Sequence, residues 1–185
     1  MDLASLLEPK RIIADLQSSN SKNAIEELVN HLCKNAFLLN GEKDKIINSL
    51  FEREDRTTTG IGSSVAIPHA TSDVIDKTLM IFGRSLEGID FEAIDNNPVN
   101  FVILFLIPES DNNHHLQTLA SIARFFTKGN IRETLLNALT ETEILNVIEN
   151  HGTWPVEATR NNLQGLFDHP LRQIHADTFP YDNRG

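Results

Sequence analysis

The sequence predicts an α/β fold in which a mixed β-sheet is flanked by helices on both faces. Short apolar segments typical of strands are interleaved with longer segments whose apolar residues recur at helical spacing. Residues 100–107 are apolar at every position after Asn100, without the alternation of a half-exposed strand. Such a segment is typical of a central strand that is covered on both faces.

Two helices are predicted in the N-terminal part of the chain. The first covers residues 21–35, and either Ser21 or Asn23 can cap it. The second begins at a cap on Asn40 and ends at about Phe51. Each helix has one apolar face, formed by Ile25, Leu28, Val29 and Leu32 in the first and by Ile46, Ile47 and Leu50 in the second.

The middle of the chain supplies the strands, and further helices follow them. Strands are predicted at residues 65–67, 79–83 and 100–107. A long helix is expected from about His114 and a short one from Asn130. The segment Thr-Glu-Thr-Glu at residues 140–143 is a capping box, which predicts that a last helix begins there.

The chain divides into one domain, residues 1–150, and a C-terminal extension, residues 151–185. The extension contains the only Trp and Tyr of the chain, and its prolines Pro155, Pro170 and Pro180 exclude one long helix. We interpret it as a segment that packs on the domain or reaches a partner protein.

The composition excludes several classes of protein. A net charge of −10 argues against a nucleic-acid binder, which needs clustered Lys and Arg, and it suits a protein that meets a basic partner surface. The lone cysteine, Cys33, cannot form an intramolecular disulfide. The N-terminus lacks the pattern of a signal peptide, and the longest apolar stretch, residues 101–108, is too short to span a bilayer. We expect a cytoplasmic protein without direct membrane insertion.

The segment Thr-Thr-Gly-Ile-Gly-Ser-Ser-Val-Ala-Ile-Pro-His, residues 58–69, is the most informative part of the sequence. Gly60 and Gly62 permit tight backbone geometry, a short apolar strand follows, and Pro68 restricts the chain just before His69. One imidazole is therefore expected at a strand end, on a backbone with little freedom. The residue type alone is equally consistent with a histidine in an ordinary turn.

Several motifs together indicate a known family. Residues 60–69 resemble the phosphohistidine motif of enzyme IIA domains of the fructose/mannitol type in the bacterial phosphotransferase system. The resemblance continues in Phe-Glu-Ala-Ile-Asp-Asn-Asn-Pro-Val at residues 91–99, in Pro108, and in His-Leu-Gln-Thr-Leu-Ala at residues 115–120. It covers roughly residues 1–150 and implies the α/β fold of that family.

The resemblance implies that His69 accepts the phosphoryl group, on the ring nitrogen farther from the backbone. Such a nitrogen must be unprotonated and exposed, while the other nitrogen donates to a carbonyl and fixes the tautomer. The second family histidine, which lines the same pocket, is His115. Its neighbour His114 is the alternative, but the family pattern places the functional histidine immediately before Leu116.

The family also has an Arg-Glu pair at the border of the site, which here is Arg53-Glu54. The planar guanidinium of Arg53 suits phosphoryl oxygens, whose negative charge spreads in the transition state. Backbone N–H groups near Thr58 and Thr59 are expected to support phosphate binding. The residue types alone leave open that Arg53 is a surface charge paired with Glu54 or Asp55.

Neither a metal nor another cofactor is implied, because the phosphoryl donor is itself an activated phosphohistidine. The sequence shows no acidic cluster with the spacing of a magnesium site, and His151, His169 and His175 are too scattered for a zinc site.

The implied phosphoryl donor is an HPr-like or NPr-like carrier protein. The stretches at residues 58–62 and 93–99 look more like the nitrogen-regulatory branch of the family, whose members bind regulatory target proteins. One alternative is a sugar-specific IIA protein that passes the phosphoryl group to a IIB component. An alternative of another class is a binding module in which phosphorylation has become incidental.

Overall fold

The computed structural model of the chain describes residues 6–111, 115–126 and 128–151, with the backbone alone at Asp111 and at residues 115–117. The predicted extension after His151 therefore lies outside the described residues. The strands are β1 (Ile12–Ile13), β2 (Gly60–Gly62), β3 (Val65–Ala66), β4 (His69–Ser72), β5 (Leu79–Ile89) and β6 (Val99–Pro108). The helices are α1 (Ser21–Lys34), α2 (Lys43–Arg56), α3 (His115–Phe126), α4 (Gly129–Asn137) and α5 (Glu141–His151).

The strands form one mixed sheet around the antiparallel pair β5 and β6. On the outer side of β5, β1 adds a short parallel strand. On the other side of β6, β3 and β4 pair with successive stretches of the same edge, both of them parallel to β6. An antiparallel partner of β3, strand β2, completes this side of the sheet.

Helices cover both faces of the sheet, as predicted. On one face, α1 and α2 bury Leu28 and Leu50 in a cluster with Leu104 of β6. On the other face, α3, α4 and α5 pack over an aromatic cluster, in which the ring of Phe126 lies 6.0 Å from that of Phe82 and 5.6 Å from that of Phe101. The continuous apolar run of β6 follows from this double burial.

The helix α1 begins at Ser21 as predicted, but the predicted caps of α1 and α2 and the predicted end of α2 are wrong. The N-cap of α1 is Asn20, whose side chain accepts from the Asn23 N–H at 3.0 Å, so neither Ser21 nor Asn23 is the cap. Three polar residues in four positions can cap a helix, and the sequence does not distinguish among them. The second helix begins at Lys43 after a 3₁₀ turn and extends to Arg56, beyond the predicted end at Phe51.

The structure also places His69 differently along the strands. The histidine was expected at the end of the strand over residues 65–67, but it is the first residue of β4. The intervening Pro68 has no N–H to donate to a ladder, so the edge is divided into two short strands. The polar sequence of β4 does not indicate a strand, which is why it was not predicted.

The predicted cap at the start of α5 is confirmed for Thr140, whereas Glu143 reaches one residue further back than a capping box requires. The Thr140 hydroxyl accepts from the Glu143 N–H at 3.2 Å, and the Glu143 carboxylate accepts from the Leu139 N–H at 2.7 Å. Among the described helices, none combines the length and the apolar content needed to cross a membrane.

Candidate functional site

The paired strands β4 and β6 position His69. The residue lies opposite Phe105 of β6, whose N–H donates to the Pro68 carbonyl at 2.9 Å. Residues that lie opposite each other in a sheet share a face, so the His69 side chain lies on the face of Phe105, which α3, α4 and α5 cover. The backbone of His115 begins α3 on that face.

A hydrogen bond to the backbone orients the imidazole of His69. Its Nδ1 lies 2.8 Å from the Ile67 carbonyl oxygen, two residues earlier in the chain. A carbonyl oxygen only accepts, so the Nδ1 atom carries the proton, and the neutral ring has its lone pair on Nε2. The Nε2 atom is buried in this structure, which differs from the expected exposure.

The peptide of Ile67 is itself held from the preceding segment. Its N–H donates to the Thr59 carbonyl at 3.0 Å. The buried carboxylate of Glu54 accepts from the Thr59 N–H at 2.9 Å and from the Thr59 hydroxyl at 2.6 Å. Burial raises the pKa of Glu54, although the two bonds from Thr59 and the charge of Arg53 lower it in part.

The guanidinium of Arg53 is half-buried near the end of α2, where its Nη1 donates to the Thr57 carbonyl at 2.9 Å. Burial lowers the pKa of Arg53, and the nearby carboxylate of Glu54 opposes that shift. The alternative of a surface ion pair does not match the described residues. There, Asp55 pairs with Lys22 at 2.8 Å, and Glu54 holds Thr59 instead.

The hydroxyls of Thr58 and Thr59 already have partners within the protein. That of Thr58 donates to the Phe91 carbonyl at 2.5 Å and accepts from the Gly60 N–H at 3.0 Å. Both the N–H and the hydroxyl of Thr59 donate to Glu54. The phosphate-binding role of these two threonines stays a prediction. The side chain of His115 and the whole of His114 lie outside what the structure describes, so their expected roles stay predictions as well.

Two strained turns lie against each other beside this segment. The Ser63 N–H donates to the Asp95 carboxylate at 2.9 Å, and the Ile94 N–H donates to the Gly60 carbonyl at 3.0 Å. Four residues here adopt positive φ angles although none is glycine: Ser63, Ser64, Glu92 and Asn96. Such conformations cost free energy, so the surrounding contacts must maintain them. The residues at the border of the site are thus fixed by loop-to-loop contacts.

The sequence did not single out Glu54 as a buried hydrogen-bond acceptor or Asp95 as the link between the two turns. The available signal was a charged residue at an inward position of α2 and an Asp in a turn-like stretch. Among the described residues, no group of three or more His, Cys, Asp and Glu side chains lies together as a metal site requires.

Comparison with known proteins gives a consistent result. The family model described as "Phosphoenolpyruvate-dependent sugar phosphotransferase system, EIIA 2" matches residues 5–151. A fructose-specific EIIABC component of the phosphotransferase system from Bacillus subtilis is 32% identical over 151 residues, which are 82% of this chain but 24% of that protein. The chain thus spans about a quarter of the length of this relative.

A nitrogen regulatory protein from Bradyrhizobium diazoefficiens is 35% identical over 135 residues, which cover 73% of this chain and 86% of that protein. Among solved structures, the nitrogen regulatory protein IIA-Ntr from Neisseria meningitidis superposes with a TM-score of 0.71 and 28% identity. That match covers 79% of this chain and 98% of the other.

Proposed function

The chain belongs to the EIIA type-2 family of the phosphoenolpyruvate-dependent sugar phosphotransferase system, and on that premise we propose that it is a phosphohistidine carrier with His69 as the acceptor. The observation that carries this proposal is the Nδ1 contact of His69 with the Ile67 carbonyl. It leaves the Nε2 lone pair as the nucleophile of the neutral ring, in agreement with the expected tele-phosphohistidine.

In the proposed transfer, the Nε2 lone pair of His69 attacks the phosphorus of a phosphohistidine on the donor protein. The new P–N bond forms at His69 while the P–N bond of the donor breaks, and the donor imidazole keeps the electron pair of the broken bond. Throughout the transfer, the proton stays on Nδ1 of His69 and is donated in a hydrogen bond to the Ile67 carbonyl. The resulting positive ring charge faces a fixed dipole that stabilises it.

The transferring group spreads negative charge over its oxygens, so catalysis depends on positioned donors. We assign Arg53 to this role because its guanidinium stays charged and is held by the Thr57 carbonyl. The His115 imidazole is proposed as a second donor, since its backbone begins the helix that covers the same face of the sheet.

We propose the nitrogen-regulatory branch, with an HPr-like or NPr-like protein as the phosphoryl donor and a regulatory protein as the target. The support is the nitrogen regulatory relative at 35% identity and the IIA-Ntr fold match. A sugar-specific IIA role with transfer to a IIB component is the second candidate, favoured by the fructose-specific relative that matches 82% of this chain. In either branch, the charge of −10 suits a basic partner surface.

Intact-mass analysis tests the proposal after incubation with phosphoenolpyruvate, enzyme I and an HPr-type carrier. We expect an acid-labile phosphoryl adduct on the wild type and none on His69→Ala. The matched control is His31→Ala, which removes a histidine of α1. The ring of His31 bonds the Lys10 carbonyl, and its loss should leave the adduct intact. Full labelling of His69→Ala would overturn the assignment, and an unlabelled wild type would favour a binding module. Transfer onward to a cognate IIB protein would support the sugar-specific branch.

A further inference from the structure

We propose that Glu54 is a positioning residue that holds His69 in the tautomer with its proton on Nδ1, acting through Thr59 and Ile67. This inference rests on the proposed function, since it concerns how the acceptor ring is prepared for the phosphoryl group. Three consecutive links connect the Glu54 carboxylate to the imidazole, and each link is a hydrogen bond in the structure.

The first link joins α2 to the segment after it. One oxygen of Glu54 accepts the Thr59 N–H and the other accepts the Thr59 hydroxyl, at 2.9 and 2.6 Å. Two bonds to one residue fix its orientation as well as its position. Both residues are buried, at 9% and 3% exposure, so water does not compete for these bonds.

The second link runs from Thr59 to Ile67. The Thr59 carbonyl accepts the Ile67 N–H at 3.0 Å, just beyond the paired residues Gly60 and Ala66 of β2 and β3. Pro68 follows and restricts Ile67 to extended conformations. The direction of the Ile67 carbonyl is therefore set from both sides of the residue.

The third link is the contact of that carbonyl with His69 Nδ1 at 2.8 Å. If the Ile67 carbonyl turned away, the preference for the Nδ1 proton would weaken, and the proton could occupy the Nε2 nitrogen that must accept the phosphoryl group. A protonated Nε2 has no lone pair for attack. Correct positioning of Ile67 therefore controls the fraction of the ring that is ready to react.

Glu54 also has a local role, since an apolar side chain at this place would leave the buried N–H and hydroxyl of Thr59 without an acceptor. A control carboxylate with similar bonds therefore separates that local role from an effect on the imidazole. The structure offers a matched comparison in Glu27 on α1, whose carboxylate accepts from the Gln17 N–H, the Ser18 N–H and the Ser18 hydroxyl. Its partners are outside the links that lead to His69, so its loss should not reach the imidazole.

The test is the tautomer of His69 in the full chain, read from ¹⁵N-histidine NMR spectra, together with the rate of phosphoryl acceptance from an HPr-type carrier. For Glu54→Ala we expect the ratio of the Nδ1–H to the Nε2–H tautomer to fall about fivefold. The rate should fall roughly 10- to 100-fold, because small misplacements of a reacting group are costly. Glu54→Gln should lie between these values and the wild type, since an amide can accept the Thr59 N–H and donate to its hydroxyl.

The control Glu27→Gln should leave both the tautomer ratio and the rate at wild-type values. If Glu54→Ala does not fold, Thr59→Val removes one of the two bonds and should shift the ratio in the same direction by a smaller factor. A wild-type tautomer ratio in the variants at 54 and 59, or an equal shift in Glu27→Gln, would overturn the proposal. A shifted ratio with an unchanged rate would overturn it as well.

The tautomer is measured without any phosphoryl donor, so the two proposals fail in distinguishable ways. If the wild type accepts no phosphoryl group, the carrier function is wrong while the tautomer result still decides the role of Glu54. If the wild type is phosphorylated on His69 and Glu54→Ala matches it in both readouts, only the positioning role is wrong.

Discussion

The central strand pair and the site-bearing edge of the sheet are held together by different interactions. Strands β5 and β6 have 11 and 10 residues and pair along most of their length. At the edge, β2, β3 and β4 have only three, two and four residues. Burial of apolar side chains dominates the centre, where buried Arg84 also bonds backbone carbonyls, whereas the short strands at the edge rely more on individual hydrogen bonds. The edge therefore depends on a few contacts, and those contacts are the ones that orient His69.

The largest effect is expected from a change in the centre. Phe101→Ala removes a fully buried ring that stacks on Phe82 and packs at a tilt against Phe126. We expect the free energy of unfolding to fall by about 3–5 kcal/mol, because the cavity adds to the lost transfer free energy. Urea unfolding measures this loss, while the tautomer ratio of His69 in the folded fraction should not change.

The matched control for this prediction is Leu139→Ala, since Leu139 is 82% exposed and its truncation should change the free energy of unfolding by less than about 0.5 kcal/mol. A clear change in the His69 tautomer ratio of folded Phe101→Ala would contradict the distinction between centre and edge.

The second prediction concerns the edge. A Cβ atom added at Gly60 would lie 2.9 Å from both the Cα and the Cβ of Ala93, and a backbone contact of this kind cannot be relieved by a rotamer change. We expect Gly60→Ala to lower the free energy of unfolding by about 1–3 kcal/mol. Because it pushes residues 58–62 away from residues 91–95, it should also shift the His69 tautomer, which NMR detects.

Gly83→Ala in the centre is the counterpart of this variant. Its added Cβ atom would meet the side chains of Leu16 and Leu28, the nearest atom being Leu16 Cδ1 at 2.6 Å. We expect a loss of stability of similar size without a change in the tautomer. Equal tautomer shifts in the two glycine variants would show that the His69 tautomer does not depend specifically on contacts at the edge.

The same contrast explains which parts of the fold the sequence predicts. The apolar run of β6 and the one-sided apolar faces of α1 and α2 result from burial, and burial leaves a pattern in the sequence that is continuous in β6 and periodic in the helices. The Thr140 cap of α5 is a local motif in which the partners are three residues apart, so it is also recognisable. These features were predicted correctly.

The edge was predicted less completely, because its bonds leave no periodic pattern. Strand β4 has no apolar run, and the last turn of α2 is charged at every position, although Glu54 packs inward. The motif identified His69 and, through resemblance to a family, Arg53. That Glu54 binds Thr59 depends on how the chain turns between α2 and β2, which propensity and spacing do not specify. The roles of His69, Arg53, His115, Thr58 and Thr59 remain predictions for experiment.

The smallest effect is expected from the pH dependence of the edge. Burial raises the pKa of Glu54 above its usual 4.5, despite the opposing bonds from Thr59. The folded state therefore binds the Glu54 proton more tightly than the unfolded state does. The stabilisation that comes from this raised pKa is complete at a pH below the usual value and is lost as the pH rises through the raised pKa of the folded state. Glu54→Gln does not titrate, so its stability relative to the wild type should increase with pH across this window, as measured by urea unfolding at several pH values.

The Asp95→Asn variant supplies the opposite slope within the same edge. Burial raises the pKa of Asp95 in part, but hydrogen bonds from Asn97 and from the Ser63 N–H lower it further, so the net pKa lies below its usual 3.8. Its contribution is present above that usual value and is lost as the pH falls through the depressed pKa of the folded state. Asp95→Asn should therefore lose stability relative to the wild type as the pH rises from the acid end, whereas Glu54→Gln gains it at higher pH. On this view the fold keeps the Glu54 carboxylate buried for its hydrogen bonds and keeps Asp95 ionised. Stability slopes of the same sign for Glu54→Gln and Asp95→Asn would contradict these two assignments.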